Sequence, residues 1–197
     1  MIPFPNKKYQ IIYADPPWSY GFSGTRGKIL YPSYNQYIKK VDDYKTMKTK
    51  NICDIPIKAL TDKNCVLFIW MIWNKLPDVL EVIKSWGFEY KSCAFTWVKK
   101  NKKSGSWFWG MGGWTRQNSE NCLIATKGKP KRANASIHSI LDNNIMEHSE
   151  KPPEVRNKIV QLCGDLPRIE LFARPPKDRL FADESYKGWD VWGNECQ

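Results

Sequence analysis

Tyr9-Gln10-Ile11-Ile12-Tyr13-Ala14-Asp15-Pro16-Pro17-Trp18 is the stretch from which the rest of the chain is read. Residues 9–14 make an apolar run suited to a buried strand, and two consecutive prolines stop it, because neither can donate to a sheet ladder. The strand therefore ends in an extended, exposed turn that presents the Asp15 carboxylate and the neighbouring carbonyls. In an open α/β sheet the carboxyl ends of the strands are where ligands bind. Trp18 is expected to add a flat apolar face beside these acceptors, a combination suited to a planar base bearing an amino group. An isolated Asp-Pro-Pro would also serve as an ordinary strand-ending turn.

Working outward, Asn64 to Met71 is a second apolar run, and Leu76, Val79, Leu80, Ile83 and Trp86 then recur at helical spacing up to a stop at Gly87. Cys93 to Val98 and Asn121 to Thr126 read as strands. Pro153 to Cys163 reads as a helix with Val155, Ile159 and Leu162 inward and Gly164 as its stop, and Arg168 to Ala173 as a further strand. This alternation predicts an α/β fold, a Rossmann-like, mostly parallel sheet with helices on both faces. No repeat or convincing boundary divides the 197 residues, so one catalytic domain over 1–197 is expected. Two segments, Ser19 to Lys40 and Lys99 to Ser119, read as long irregular loops of the kind that carry function.

A hydrophobic fraction of 42% with 14% aromatics fits a packed globule rather than a disordered chain. No apolar stretch approaches a membrane span, and the amino terminus lacks a secretory signal pattern, so a soluble, cytoplasmic protein with no membrane partner is expected. Cys53, Cys65, Cys93, Cys122, Cys163 and Cys196 are scattered, with only His138 and His148 to assist; neither a zinc site nor any other metal site is expected. Cys65, Cys93, Cys122 and Cys163 lie in or beside apolar runs and are predicted to be small buried thiols. The formal charge of +11 favours a polyanionic partner without distinguishing DNA from RNA. Lys99, Lys100, Lys102 and Lys103, followed by Trp107, Trp109, Trp114 and Arg116, interleave cations with rings in the way that suits a nucleic-acid strand.

Six ordered blocks carry a resemblance. Tyr13-Ala14-Asp15-Pro16-Pro17-Trp18, Tyr44-Lys45-Thr46-Met47, Ser119-Glu120-Asn121-Cys122-Leu123, His148-Ser149-Glu150-Lys151-Pro152, Ile169-Glu170-Leu171-Phe172-Ala173-Arg174 and Gly188-Trp189-Asp190-Val191-Trp192-Gly193-Asn194-Glu195 together resemble the MT-A70 family of S-adenosylmethionine-dependent adenine N6-methyltransferases. The resemblance implies a permuted motif order, consistent with the lack of a glycine-rich fingerprint after the first strand. It implies that Lys151 lies near the donor carboxylate, that Arg174 and Asn194 hold its ribose and adenine edges, and that Leu171, Phe172 and the backbone of Gly193 and Glu195 line its pocket. Two departures stand out. Only a few residues precede the acceptor strand, where some eukaryotic members carry an acidic segment, and Arg174 is followed by Pro175, Pro176 and Lys177 where those members place polar ribose contacts.

The chemistry of such a transfer explains the acceptor turn. An amine on adenine is a poor nucleophile because its lone pair is delocalised into the ring. Asp15 and the Pro16 carbonyl, held by Pro17 and Trp18, can each take one N–H and make the nitrogen more tetrahedral as the methyl group arrives. On the substrate side the expected contacts are Tyr20, Lys99, Lys100, Lys102, Lys103, Trp114, Arg116 and Glu120, the last equally suited to capping or pairing at a strand start; His148 is a weaker candidate. The resulting expectation is N6-methylation of adenine in DNA, with the base flipped out or already unpaired. RNA as substrate, the 4-amino group of cytosine, and a catalytically silent nucleic-acid-binding subunit are the alternatives. The oligomeric state is open, a homodimer being among the possibilities.

Overall fold

The computed structural model describes residues 3–19, 46–110, 114–146, 150–175, 184–194 and 196. Tyr20, Tyr44, Lys45, His148, Ser149, Pro176, Lys177 and Glu195 lie outside the described residues, as does the predicted loop after Ser19. The strands are β1 (Tyr9–Ala14), β2 (Thr61–Met71), β3 (Glu89–Val98), β4 (Ser119–Lys127), β5 (Ile140–Leu141), β6 (Arg168–Leu171) and β7 (Trp189–Trp192). Among the described residues the α-helices are α1 (Thr49–Cys53), α2 (Leu76–Ser85) and α3 (Glu154–Cys163).

All strands join one seven-stranded sheet in the order β5-β3-β4-β2-β1-β6-β7. The β1/β2, β1/β6, β6/β7 and β3/β5 pairs are parallel, whereas β4 runs antiparallel to both β2 and β3. The mostly parallel sheet expected from the sequence is therefore present. β1 is its pivot: the chain first builds outward on the β2 side, then returns to place β6 and β7 on the other. That reversal makes the carboxyl end of β1 a topological switch point, where crossovers on opposite sides leave a crevice.

Side-chain alternation splits the core into two layers. Ile12, Ala14, Leu67, Ile69, Leu123, Ile169 and Leu171 face one side, with Ile52 of α1 and Val79, Val82 and Ile83 of α2. Ile11, Tyr13, Phe68, Trp70, Phe95, Trp97 and Cys122 face the other, with Val155, Ile159 and Cys163 of α3. Helices thus cover both faces. Burial of both faces is why β1 and the second half of β2 read as continuous apolar runs.

Several boundaries move. β3 begins at Glu89 rather than Cys93, because its first residues are exposed and carry no hydrophobic signal. β6 ends at Leu171, since Phe172 turns to φ 60 and cannot continue a strand. In α2 the inward residue is Val82, while Leu80 is exposed. Cys93 is exposed as well, against the expectation of a buried thiol, because it lies in the polar half of β3; Cys65, Cys122 and Cys163 are buried as expected. Nor are the described residues of 99–119 structureless. Lys99 N–H bonds the Asn118 carbonyl, Phe108 N–H bonds Lys99, Lys100 bridges Trp107, and Gly110 N–H bonds Gln117 at 2.7 Å, extending the β3/β4 pairing as an irregular hairpin. Its turn over residues 101–106 closes with Gly105 at φ 64.

Candidate active site

The register places the site's elements. Ala14 pairs with Ile69 on one side and Leu171 on the other, and Leu171 pairs with Trp192, so these four end on one row of the sheet. Asp15, Phe172 and Gly193 follow that row at the carboxyl edge. β4 runs the opposite way and delivers its amino end, with Glu120, to the same edge beside Trp97 of β3. The sequence pattern carries Asp15 onto the face of Tyr13, and Glu120 onto the face of Cys122.

There the two carboxylates and two lysines form an alternating chain. Lys151 Nζ donates to Asp15 Oδ2 at 2.7 Å and lies 3.4 Å from Glu120 Oε2, while Lys99 Nζ donates to Glu120 Oε1. Aromatic rings support it: Lys151 Nζ is 5.5 Å from the Trp70 ring centroid and Lys99 Nζ 4.8 Å from that of Trp97. Trp70 is fixed in turn. Its indole N–H donates to Tyr13 Oη at 2.6 Å, and its backbone carbonyl accepts the Trp18 indole N–H at 2.9 Å.

Burial and charge compete at the carboxylates. Burial pushes the Asp15 carboxyl above its ordinary value; Lys151 opposes this through charge and hydrogen bonding, Glu120 adds to the rise and Arg174 lowers it. Burial wins. At Glu120 burial also raises, but Lys151 and Lys99 together outweigh it and hold the carboxyl below the ordinary range. Two similar groups at one edge thus carry their charge with opposite ease, the arrangement associated with functional sites.

The turn differs from expectation in two respects: it is not exposed, since Pro16 is buried and Asp15 and Pro17 are half-buried between the packed strand ends, and Trp18 turns inward. Trp18 is only 5% exposed and packs in the core beside Ile69 and Leu171, its N–H committed to Trp70, so it offers no free stacking face. It anchors the turn instead. Trp18 N–H donates to the Pro16 carbonyl at 2.8 Å and Met47 N–H to the Pro17 carbonyl at 2.8 Å, tying the turn to the segment before α1. One lone pair of the Pro16 carbonyl is thereby used and a second remains.

Leu171, Phe172, Arg174, Gly193 and Asn194 gather at the ends of β6 and β7. Leu171 is buried, the Phe172 ring meets Trp192 edge-on at 5.9 Å, and Ala173 N–H donates to the Trp192 carbonyl at 3.2 Å. A Cβ on Gly193 would lie 3.0 Å from Phe172 Cα and 3.1 Å from Ala173 N, tighter than most Cβ contacts, so glycine lets these two strand exits approach closely without a backbone shift. Asn194 is exposed there. Lys151, placed by resemblance near the donor carboxylate, donates to Asp15 at the end of β1.

The nucleic-acid candidates divide. Lys99 is engaged with Glu120, and Lys100 with Asp142 at 2.6 Å. Lys102, Lys103, Trp114 and Arg116 are exposed on the hairpin. Sequence reasoning missed Trp70, Trp97 and the Lys99–Glu120 pair, although strand alternation already places Trp97 and Lys99 on one face. No cluster of His, Cys, Asp and Glu among the described residues is arranged to hold a metal. No helix among the described residues is long and apolar enough to cross a membrane.

The MT-A70 family model matches residues 9–195, nearly the whole chain. The chain belongs to the MT-A70 family. It is 34% identical to the Type II methyltransferase M.MunI of a Mycoplasma species, over 97% of this chain and 79% of the relative. It is 26% identical to the human N(6)-adenosine-methyltransferase catalytic subunit METTL3 over 85% of this chain, which covers 26% of that protein. The Arabidopsis thaliana N(6)-adenosine-methyltransferase MT-A70-like protein is 24% identical over 95% of the chain and 24% of its own length. The chain thus spans about a quarter of these eukaryotic relatives. MT-A70 methyltransferases use S-adenosylmethionine as methyl donor.

Proposed function

We propose that this MT-A70 member transfers a methyl group from S-adenosylmethionine to the N6 amine of adenine in DNA. The observation that carries the proposal is Asp15 at the switch point, on a turn fixed by Trp18 and Met47 and ion-paired to Lys151. DNA is favoured by the Type II methyltransferase, to which the similarity extends over almost all of this chain. The charge of +11 supports a polyanionic substrate of either kind.

The chain's own groups account for the reaction. Asp15 accepts one N–H of the amine and the free lone pair of the Pro16 carbonyl accepts the other, which directs the nitrogen lone pair away from the ring. Lys151 opposes the effect of burial on Asp15, favouring its charged form, and occupies one of its oxygens. Bound at the ends of β6 and β7, the sulfonium supplies an electrophilic methyl; Leu171, Phe172 and the Gly193 backbone would hold its adenosyl part and Arg174 and Asn194 its polar edges. The N–C bond forms as the C–S bond breaks, and the surplus amine proton leaves to solvent past Asp15. Lys102, Lys103 and Arg116 would meet phosphates and Trp114 a base.

The test incubates the full chain with labelled S-adenosylmethionine and matched DNA and RNA, then identifies modified nucleosides by mass spectrometry. N6-methyl-2′-deoxyadenosine is expected. N6-methyladenosine from RNA alone would move the substrate to RNA, and donor binding without transfer to either would mark a silent subunit.

A further inference from the structure

Lys99 belongs to the basic run that invites assignment to phosphate, yet it points elsewhere. Its Nζ sits on Glu120 Oε1 and over the Trp97 ring, and its side chain is 19% exposed, against 81% for Lys50 on the open surface. Glu120 in turn has each oxygen facing a different lysine, Lys99 on one and Lys151 on the other. Lys151 is shared unequally, 2.7 Å from Asp15 and 3.4 Å from Glu120.

We propose that Lys99 is a positioning residue for methyl transfer: by occupying Glu120 it leaves Lys151 to Asp15, the acceptor. The inference rests on the reading of Asp15 given above. Its logic is charge balance among four largely buried side chains. With Lys99 present, two cations serve two carboxylates in the order Asp15, Lys151, Glu120, Lys99. Without it, Lys151 is the cation within ion-pair distance of both carboxylates, and Glu120, deprived of Lys99, draws it toward itself. Asp15 then keeps the repulsion of Glu120, retains Arg174, and loses part of its closest compensation. Lys99 also stands at the root of the hairpin, where its backbone bonds Asn118 and Phe108, so substrate gripped by the hairpin is mechanically tied to the cluster.

The test uses the full chain with Lys99→Met, Lys99→Arg, Glu120→Gln and the Glu120→Gln/Lys99→Met double variant, reading single-turnover transfer against pH and nucleic-acid binding against salt. Lys99→Met is expected to move the acid limb of the rate profile up by about one pH unit, a tenfold loss on that limb. Its salt slope should stay at the wild-type value, and Lys99→Arg should restore the wild-type profile. In the Glu120→Gln background Lys99→Met should have no further effect, a non-additivity that holds only if the two act together. An unchanged acid limb with a salt slope smaller by about one charge would overturn the proposal and return Lys99 to the phosphates. Should Lys99→Met not fold, an Arg variant with a displaced acid limb or a reduced rate across the profile would equally overturn the account of a transferable cation. Asp15→Asn separates the two readings: substantial transfer by that variant would refute Asp15 as acceptor whatever Lys99 does.

Discussion

Asp15 is where stability and function pull apart. Its carboxyl is raised by burial in spite of Lys151, so its charged form is less favoured in the folded chain than in the unfolded one. The sign follows from proton linkage: a raised carboxyl binds more protons in the folded state, and stability falls as pH rises from the unfolded value through the folded one. Above both values the ionised carboxylate is a cost. Asp15→Asn is therefore expected to unfold at a higher temperature than the wild type by calorimetry at neutral pH, while its transfer rate drops on the order of hundreds-fold. Glu120 behaves oppositely. Its lowered carboxyl contributes stability that is present above its unfolded value and disappears as pH falls through the folded one. Gly193 makes a separate claim at this scale. Gly193→Ala would put a Cβ 3.0 Å from Phe172 Cα, so that backbone must give by a few tenths of an ångström, and calorimetric titration should show weakened S-adenosylmethionine binding with nucleic-acid affinity preserved.

At the scale of elements, the hairpin between β3 and β4 separates cations paired to carboxylates from exposed ones. Lys99 and Lys100 are held by Glu120 and Asp142, whereas Lys102 and Lys103 are exposed at the turn. Replacing Lys102 and Lys103 with alanine should lower the salt slope of nucleic-acid binding by about two charges and leave the pH profile alone. Trp114→Ala should reduce transfer with little change in that slope. β1, the second half of β2, α2 and α3 were legible in the sequence because each buries a continuous run or a helical stripe. β5 has two residues, α1 has one buried side chain, Ile52, and β7 carries Asp190 within four residues, so none offered a periodic signal. The antiparallel direction of β4 is set by its partners rather than by its own composition. The same applies at the site: the Asp15 turn could be read from two prolines, but the commitment of Trp18 and Lys99 depends on which strands become neighbours.

Across the whole molecule, the two core layers hold the carboxyl edge in place, and one buried ion pair ties its return half together. Arg156 of α3 donates to both oxygens of Glu170 on β6, at 2.6 and 3.0 Å, and to Ser185 and Tyr186 before β7. Arg156→Met takes two hydrogen bonds and the paired charge from the buried Glu170 carboxylate and should cost about 3–5 kcal/mol in denaturant unfolding, while adding Glu170→Leu should recover much of it. This framework sets β6 beside β1 and β7 beside β6, so that the strand ends proposed to hold the donor lie on the same edge as Asp15. The most direct test of that arrangement is mass spectrometry of nucleosides from DNA incubated with S-adenosylmethionine and either wild-type or Asp15→Asn protein. N6-methyl-2′-deoxyadenosine from the wild type and almost none from the folded variant is the expected result; equal yields from both, or a methylated base other than adenine, would contradict it.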